Sequence, residues 1–271
     1  MKRCLFLAAL LVLVPSVAVG KRAASRMPVQ SAAVAEVVLV GTVTDIDKDP
    51  LEAASAPGAT DKIAYTAATV KVTDAIKGLK TEPHVKVGYT PSARSPLNLA
   101  EKQTYLLFLT KHHSGNFYVM NYMSPPQTLT ADTKSTVDDV KAVGKIFADP
   151  EKALNADKAE DKALAALVLI TSYRSPSESG AAQSLEAVPL VESQRILKAL
   201  GAIDWGKSQQ VGGFDCIQAI YRLGLGETHG WKQPAFKPGE NGAAAMHAAF
   251  GMWLAGAGAK FQIQKYVVKA K

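Results

Sequence analysis

Along the first half of the chain, apolar and polar positions alternate with a period of two, the mark of strands with one covered face. Val37-Val38-Leu39-Val40-Gly41-Thr42-Val43-Thr44-Asp45-Ile46 is rich in β-branched residues and opens this half. Ile63 to Ile76 predicts a longer strand, with Val70, Val72 and Asp74 on one side and Thr69, Lys71 and Thr73 on the other. Lys77-Gly78 closes it with a turn, and His84 to Tyr89 alternates over a shorter run. Thr104 to Thr110 is mostly apolar, which predicts a strand covered on both faces. Ser114-Gly115-Asn116 then turns the chain back, so that Phe117 to Met123 pairs with it. Asp47 to Asp61, rich in Ala, Pro, Gly and Asp, reads as a mobile loop.

From Thr136 the period lengthens. Val137, Val140, Val143, Ile146 and Phe147 recur at helical spacing, and Asp149-Pro150-Glu151 is an N-cap with proline at the first helical position. Ala163 to Tyr173 predicts a strongly apolar helix with Leu164, Leu167, Val168 and Thr171 on one stripe, broken by Ser175 to Gly180. Further helices are predicted over Pro189 to Leu200, Phe214 to Leu223 and Ala243 to Ala255, the first two stopped by Gly201 and Gly224. Phe261 to Val268 alternates weakly, as a closing strand or an extended tail.

The order of the strands resembles the netrin-like fold, the OB-type barrel shared with tissue inhibitors of metalloproteinases. The residues that carry it are Val38-Leu39-Val40-Gly41-Thr42-Val43, Ala68 to Gly78 ending in Lys77-Gly78, Val85-Lys86-Val87, and Glu101 to Leu109. The resemblance covers about a third of the chain and implies a closed five-strand barrel without exposed edges, and a binding role. The animal inhibitors act through an amino-terminal cysteine held by disulfides; residues 34–123 contain no cysteine, so protease inhibition is not carried over. The expected fold is thus an all-β, OB-like five-stranded barrel over 34–123, a linker over 124–136 and a mainly α-helical domain over 137–271, α+β overall.

The start of the chain carries a different pattern. Lys2 and Arg3 precede an unbroken apolar run from Leu5 to Val14, Pro15 and Ser16 break it, and Ala18 and Gly20 occupy the −3 and −1 places of a signal-peptidase site. A membrane span would need about 20 apolar residues, so residues 1–20 are expected to be a cleaved signal peptide and the protein periplasmic or extracellular. Residues 21–33 are expected as a flexible lead-in. Cleavage removes Cys4 and leaves Cys216 as the single thiol, so stability must come from burial and not from an intrachain disulfide. The net charge of +7 falls to +5 without Lys2 and Arg3. No basic stripe with interleaved aromatics accompanies it, so nucleic acid is not an expected partner. A protein or envelope component is, and no membrane span is expected after cleavage.

No motif fixes a reaction, and neither cofactor nor metal is expected. Asp45, Asp47 and Asp49 have the spacing at which a calcium loop opens, but Pro50 and Ala56 stand where such a loop wants glycine and glutamate. His112-His113 reads as a surface turn whose adjacent side chains diverge, so they do not share a metal. Cys216 in Gly213-Phe214-Asp215-Cys216 opens a helix, the setting in which cell-wall peptidases of the NlpC/P60 type place a thiolate nucleophile. Ile217-Gln218 replaces that family's small pair, so a cysteine hydrolase is the alternative to a non-enzymatic binding or envelope-associated protein. Trp205 and Trp231, beside Gly206 and Gly230, are candidates for an exposed contact or for plugs between helices; Trp253 reads as core.

Overall fold

β-branched and aromatic residues at alternate positions build the first half into strands: β1 (Val37–Ile46), β2 (Leu51–Ala54), β3 (Lys62–Lys77), β4 (His84–Tyr89), β5 (Thr104–Lys111), β6 (Tyr118–Met120) and β7 (Gln127–Thr128). The computed structural model describes residues 25–91, 97–177, 179, 181–236 and 239–269; the expected signal, Met1 to Gly20, lies outside them. β1 pairs antiparallel with β3 and with β5, β3 with β4, and β5 with β6, while β4 and β6 run parallel. The pairing therefore runs β1-β3-β4-β6-β5 and returns to β1. Β2 and β7 are appended to β3 and β5.

Three segments depart from expectation. The Asp47 to Asp61 segment contains β2, whose Leu51–Ala54 pair with residues 62–65 at the start of β3. Gln127–Thr128 and a 3-10 turn at Ala131–Thr133 give structure to what was expected as a linker. Across the end of the expected lead-in and the first residue of the expected barrel, Pro28–Val34 forms a helix, α1, with Ser31, Ala32 and Ala33 buried. Its sequence has small residues but no helical apolar period; it is held by packing against other helices.

The second half is helical: α2 (Lys134–Ala148), α3 (Pro150–Leu154), α4 (Ala159–Tyr173), α5 (Leu190–Leu200), α6 (Cys216–Leu223) and α7 (Gly242–Ala255). Two short ribbons interrupt it, β9 (Gln210–Val211) with β10 (Phe214–Asp215), and β8 (Gln183–Ala187) with β11 (Gln264–Val268). The weak alternation at the end of the chain is thus a strand, paired with β8 and not with the sheet. Α4 is buried continuously from Ala165 to Thr171, on all sides and not along one stripe, which makes it the central helix. Asp149 caps α3 by accepting from the Lys152 amide at 3.0 Å. The protein is a mixed α+β structure, and among the described residues no helix is long and apolar enough to cross a membrane.

The period of two explains how the halves join. Val37, Leu39 and Val43 of β1 and Tyr105, Leu107 and Leu109 of β5 belong to a core shared with strand residues such as Val70 and Val87. Their neighbours Val38, Val40, Leu106 and Phe108 belong to the core that contains α1, α2, α4, α5, α6 and α7. β1 and β5 are therefore covered on both faces, each face by a different set of partners. Α2 approaches β3 at Gly144, where a Cβ would stand 2.7 Å from both the Cγ2 and the carbonyl oxygen of Ile76. Lys77, the last residue of β3, donates to the carbonyls of Ala32 and Ala33 at 3.1 Å each and lies 3.7 Å from the centroid of the Phe147 ring. The helix end and the ring favour the cation, but burial outweighs them and pulls the amine down to about 7, with Glu36 acting against it.

Candidate functional site

Cys216 is the first residue of α6, with Asp215 as N-cap accepting from the Gln218 amide at 2.9 Å. A helix end helps a thiolate by at most about 1–2 kcal/mol. Here burial, and next the charge of Asp215, push the thiol up from 9.0 to about 12. The side chain is fully buried. At neutral pH it is a thiol packed in the helical core, the protonation state opposite to that of a nucleophile.

The other residues singled out in the sequence lie in separate places: the aspartates at the end of β1 and beyond it, the histidine pair in a turn, and the tryptophans between helices. Asp45 and Asp49 are exposed, and Asp47 forms an ion pair with Lys86 at 2.7 Å. Among the described residues no group of three or more His, Cys, Asp or Glu is placed to hold a metal. His112, expected on the surface, is 4% exposed. Its ring stacks on Phe117 at 4.4 Å and meets Tyr65 edge-on, while Nδ1 faces the hydroxyl of Ser114 at 2.9 Å. The turn also brings the His113 ring to 4.1 Å, because it is not extended chain. Burial, then His113, hold the His112 pKa below its ordinary value. Trp205 and Trp231, candidates for exposed contact, are both buried. Trp205 donates to the Leu200 carbonyl at 3.0 Å and stacks on Phe250; Trp231 packs edge-on against Trp253. They are plugs between helices.

What the structure assembles instead is an open cleft of about 570 Å³ between the end of α6, the turns at Glu227–His229 and Ala257–Lys260, and the β8–β11 ribbon. Arg174, just past α4, reaches into it. Its Nε donates to the Arg222 carbonyl at 2.7 Å and its Nη1 to the Gln264 carbonyl at 3.2 Å. The guanidinium is thus fixed at a meeting point of three segments far apart in sequence. Leu185, Phe261 and Leu223 supply apolar wall, and Lys260 and His229 supply further basic groups. The His229 ring stands edge-on to Phe261 at 5.2 Å, and its Nδ1 accepts from the Gly226 amide at 3.3 Å. The His229 carbonyl accepts from Trp253 Nε1 at 2.8 Å, anchoring this wall to α7. Gly230 follows in the left-handed region at φ +66°, and a Cβ there would stand 2.6 Å from that of Ala257, so only glycine lets the two turns meet.

Arg174, Lys260 and Phe261 were not singled out by the sequence. Arg174 sits where the apolar helix α4 breaks, and what fixes it is two backbone carbonyls 48 and 90 residues onward, which side-chain patterns do not encode. Compared with known proteins, the sequence matches no family model and no curated protein.

Proposed function

We propose that the protein is an exported, non-enzymatic binding protein in which an OB-like, netrin-type barrel serves as scaffold and the cleft beside Arg174 takes the ligand, carried by a protein or envelope component. The scaffold reading is supported by the circuit of antiparallel pairs β1-β3-β4-β6-β5-β1 with one parallel pair, β4 with β6, which is how an OB-type barrel closes five strands. The export reading rests on Met1 to Gly20. The observation that carries the binding reading is the state of Arg174: a cation held in place by two carbonyls at the wall of a cleft, before any ligand arrives. A preset donor of this kind lowers the ordering cost of binding.

Two measurements test this. Amino-terminal sequencing of protein recovered outside the cytoplasm is expected to begin at Lys21 or within a few residues of it; recovery only from the cytoplasm with Met1 intact overturns the export reading. A mixed library of small neutral, cationic and anionic compounds, followed by amide NMR, is expected to shift Thr228 to Gly230 and Phe261 to Gln264 as one group. If no compound moves that group, the cleft is not a binding site.

A further inference from the structure

We propose that the cleft selects a small organic anion, an oxyanion head (carboxylate or phosphate) on Arg174 and Lys260 with an apolar arm against Phe261 and Leu185. The proposal rests on the binding reading above and adds the chemical class of the ligand.

The charge of the lining is one-sided. Arg174 and Lys260 contribute cations, and among the described residues no aspartate or glutamate lines the cleft. Neither Arg174 nor Lys260 forms an ion pair among the described residues, although surface lysines elsewhere do, as Lys62 does with Glu52 and Lys141 with Asp74. The nearest acid in the ribbon is turned away. Glu186 pairs in register with Lys265, and Leu185 with Tyr266. Because side chains alternate, Leu185, Tyr266 and Gln264 share the face that meets Arg174 and the cleft, whereas Glu186 and Lys265 lie on the opposite face.

Arg174 is also oriented. A guanidinium has five N–H donors, and the two hydrogen bonds to Arg222 and Gln264 use one on Nε and one on Nη1. Both Nη2 hydrogens remain for a ligand, and Nη2 lies next to Gly224, where even an added Cβ would stand only 3.6 Å away. A fixed guanidinium edge suits the planar pair of oxygens of a carboxylate or phosphate. Lys260, an exposed residue of the lining, adds a movable point charge, and its chain neighbour Phe261 gives an apolar arm somewhere to lie.

The same head can be carried by a free metabolite or by a lipid, and the test separates them. Phenyl phosphate, benzoate, inorganic phosphate, neutral benzyl alcohol and phosphatidylglycerol vesicles are titrated into the full chain, with the Arg174 side-chain Nε–H and the amides of Phe261 to Gln264 as readout. Phenyl phosphate or benzoate is expected to move them and benzyl alcohol is not, with inorganic phosphate weaker for want of an arm. A shift with the soluble probes alone marks a free anion, and a shift with the vesicles as well marks a headgroup. Lys260→Glu, on an exposed residue and so compatible with an unchanged melting temperature, is expected to weaken binding by about tenfold or more. Silence with every anion, or an affinity untouched by Lys260→Glu, overturns the anion proposal. Benzyl alcohol or other neutral compounds moving the same amides while the anions do not would leave the binding reading standing and remove only the ligand class.

Discussion

At the scale of single residues, burial repeatedly overrides the local setting. Cys216 stands at a helix end that favours its anion, yet its thiol is pushed up to about 12. His112 shows the same priority with a consequence for pH. Its pKa is held below the ordinary 6.5, so the unfolded chain takes up a proton before the folded protein does. Stability contributed by the neutral ring is complete above about pH 6.5 and falls as the pH drops below it, by at most about 1.4 kcal/mol per unit. Urea unfolding at pH 8 and pH 5 is expected to show lower stability at pH 5, and His112→Phe, which keeps the stack on Phe117, is expected to flatten that difference. An unchanged slope in the variant would refute the assignment. Lys77 acts at the other end of the scale. Its amine is lowered to about 7 from 10.5, so between those values the unfolded chain holds a proton that the folded protein has released. Stability therefore rises with pH across that window, and Lys77→Met is expected to remove the rise in unfolding measured at pH 7 and pH 9.

At the scale of elements, what could be read from the sequence followed from period. β1, β3, β4 and β5 alternate and were legible, as were α5 and α6 with their glycine stops and α7 with its heavy face, because each displays its own covered face. α1 did not, since Pro28–Val34 is buried through small side chains that fit a gap made by other helices. β8 gave no signal either, because its partner β11 lies far along the chain and pairs through backbone groups. The candidate site shares that fate: Arg174 and Lys260 gain meaning only when α4, α6 and the ribbon converge. One contact between elements is open to direct test. In Gly144→Ala the new methyl meets a backbone oxygen at 2.7 Å that cannot swing aside, so α2 must lift from β3. A loss of about 1–3 kcal/mol is expected in denaturant unfolding; no loss would mean that the α2–β3 contact is soft.

At the scale of the whole molecule, strands and helices are not separable layers of stability. Leu107 and Phe108 are neighbours in β5, yet the first packs into the strand core and the second into the helical core. Truncating either removes contacts from a strand that both cores need. Phe108→Ala is expected to cost about 3–5 kcal/mol and to lower strand and helix signals together in one transition. Two resolved transitions in calorimetry, with only the helical one displaced, would show that the cores are independent.

The position of α1 bears on the order in which this chain can be completed. Gln30 donates to the Gly213 carbonyl at 2.8 Å, Arg26 donates its amide to the Met123 carbonyl at 2.8 Å, and Lys77 holds the helix end from β3. The first described segment of the chain thus finds its last partner only when residues near 213 have been made. Such long-range closure slows folding. If the proposed export holds, that delay keeps the polypeptide extended for as long as transport lasts.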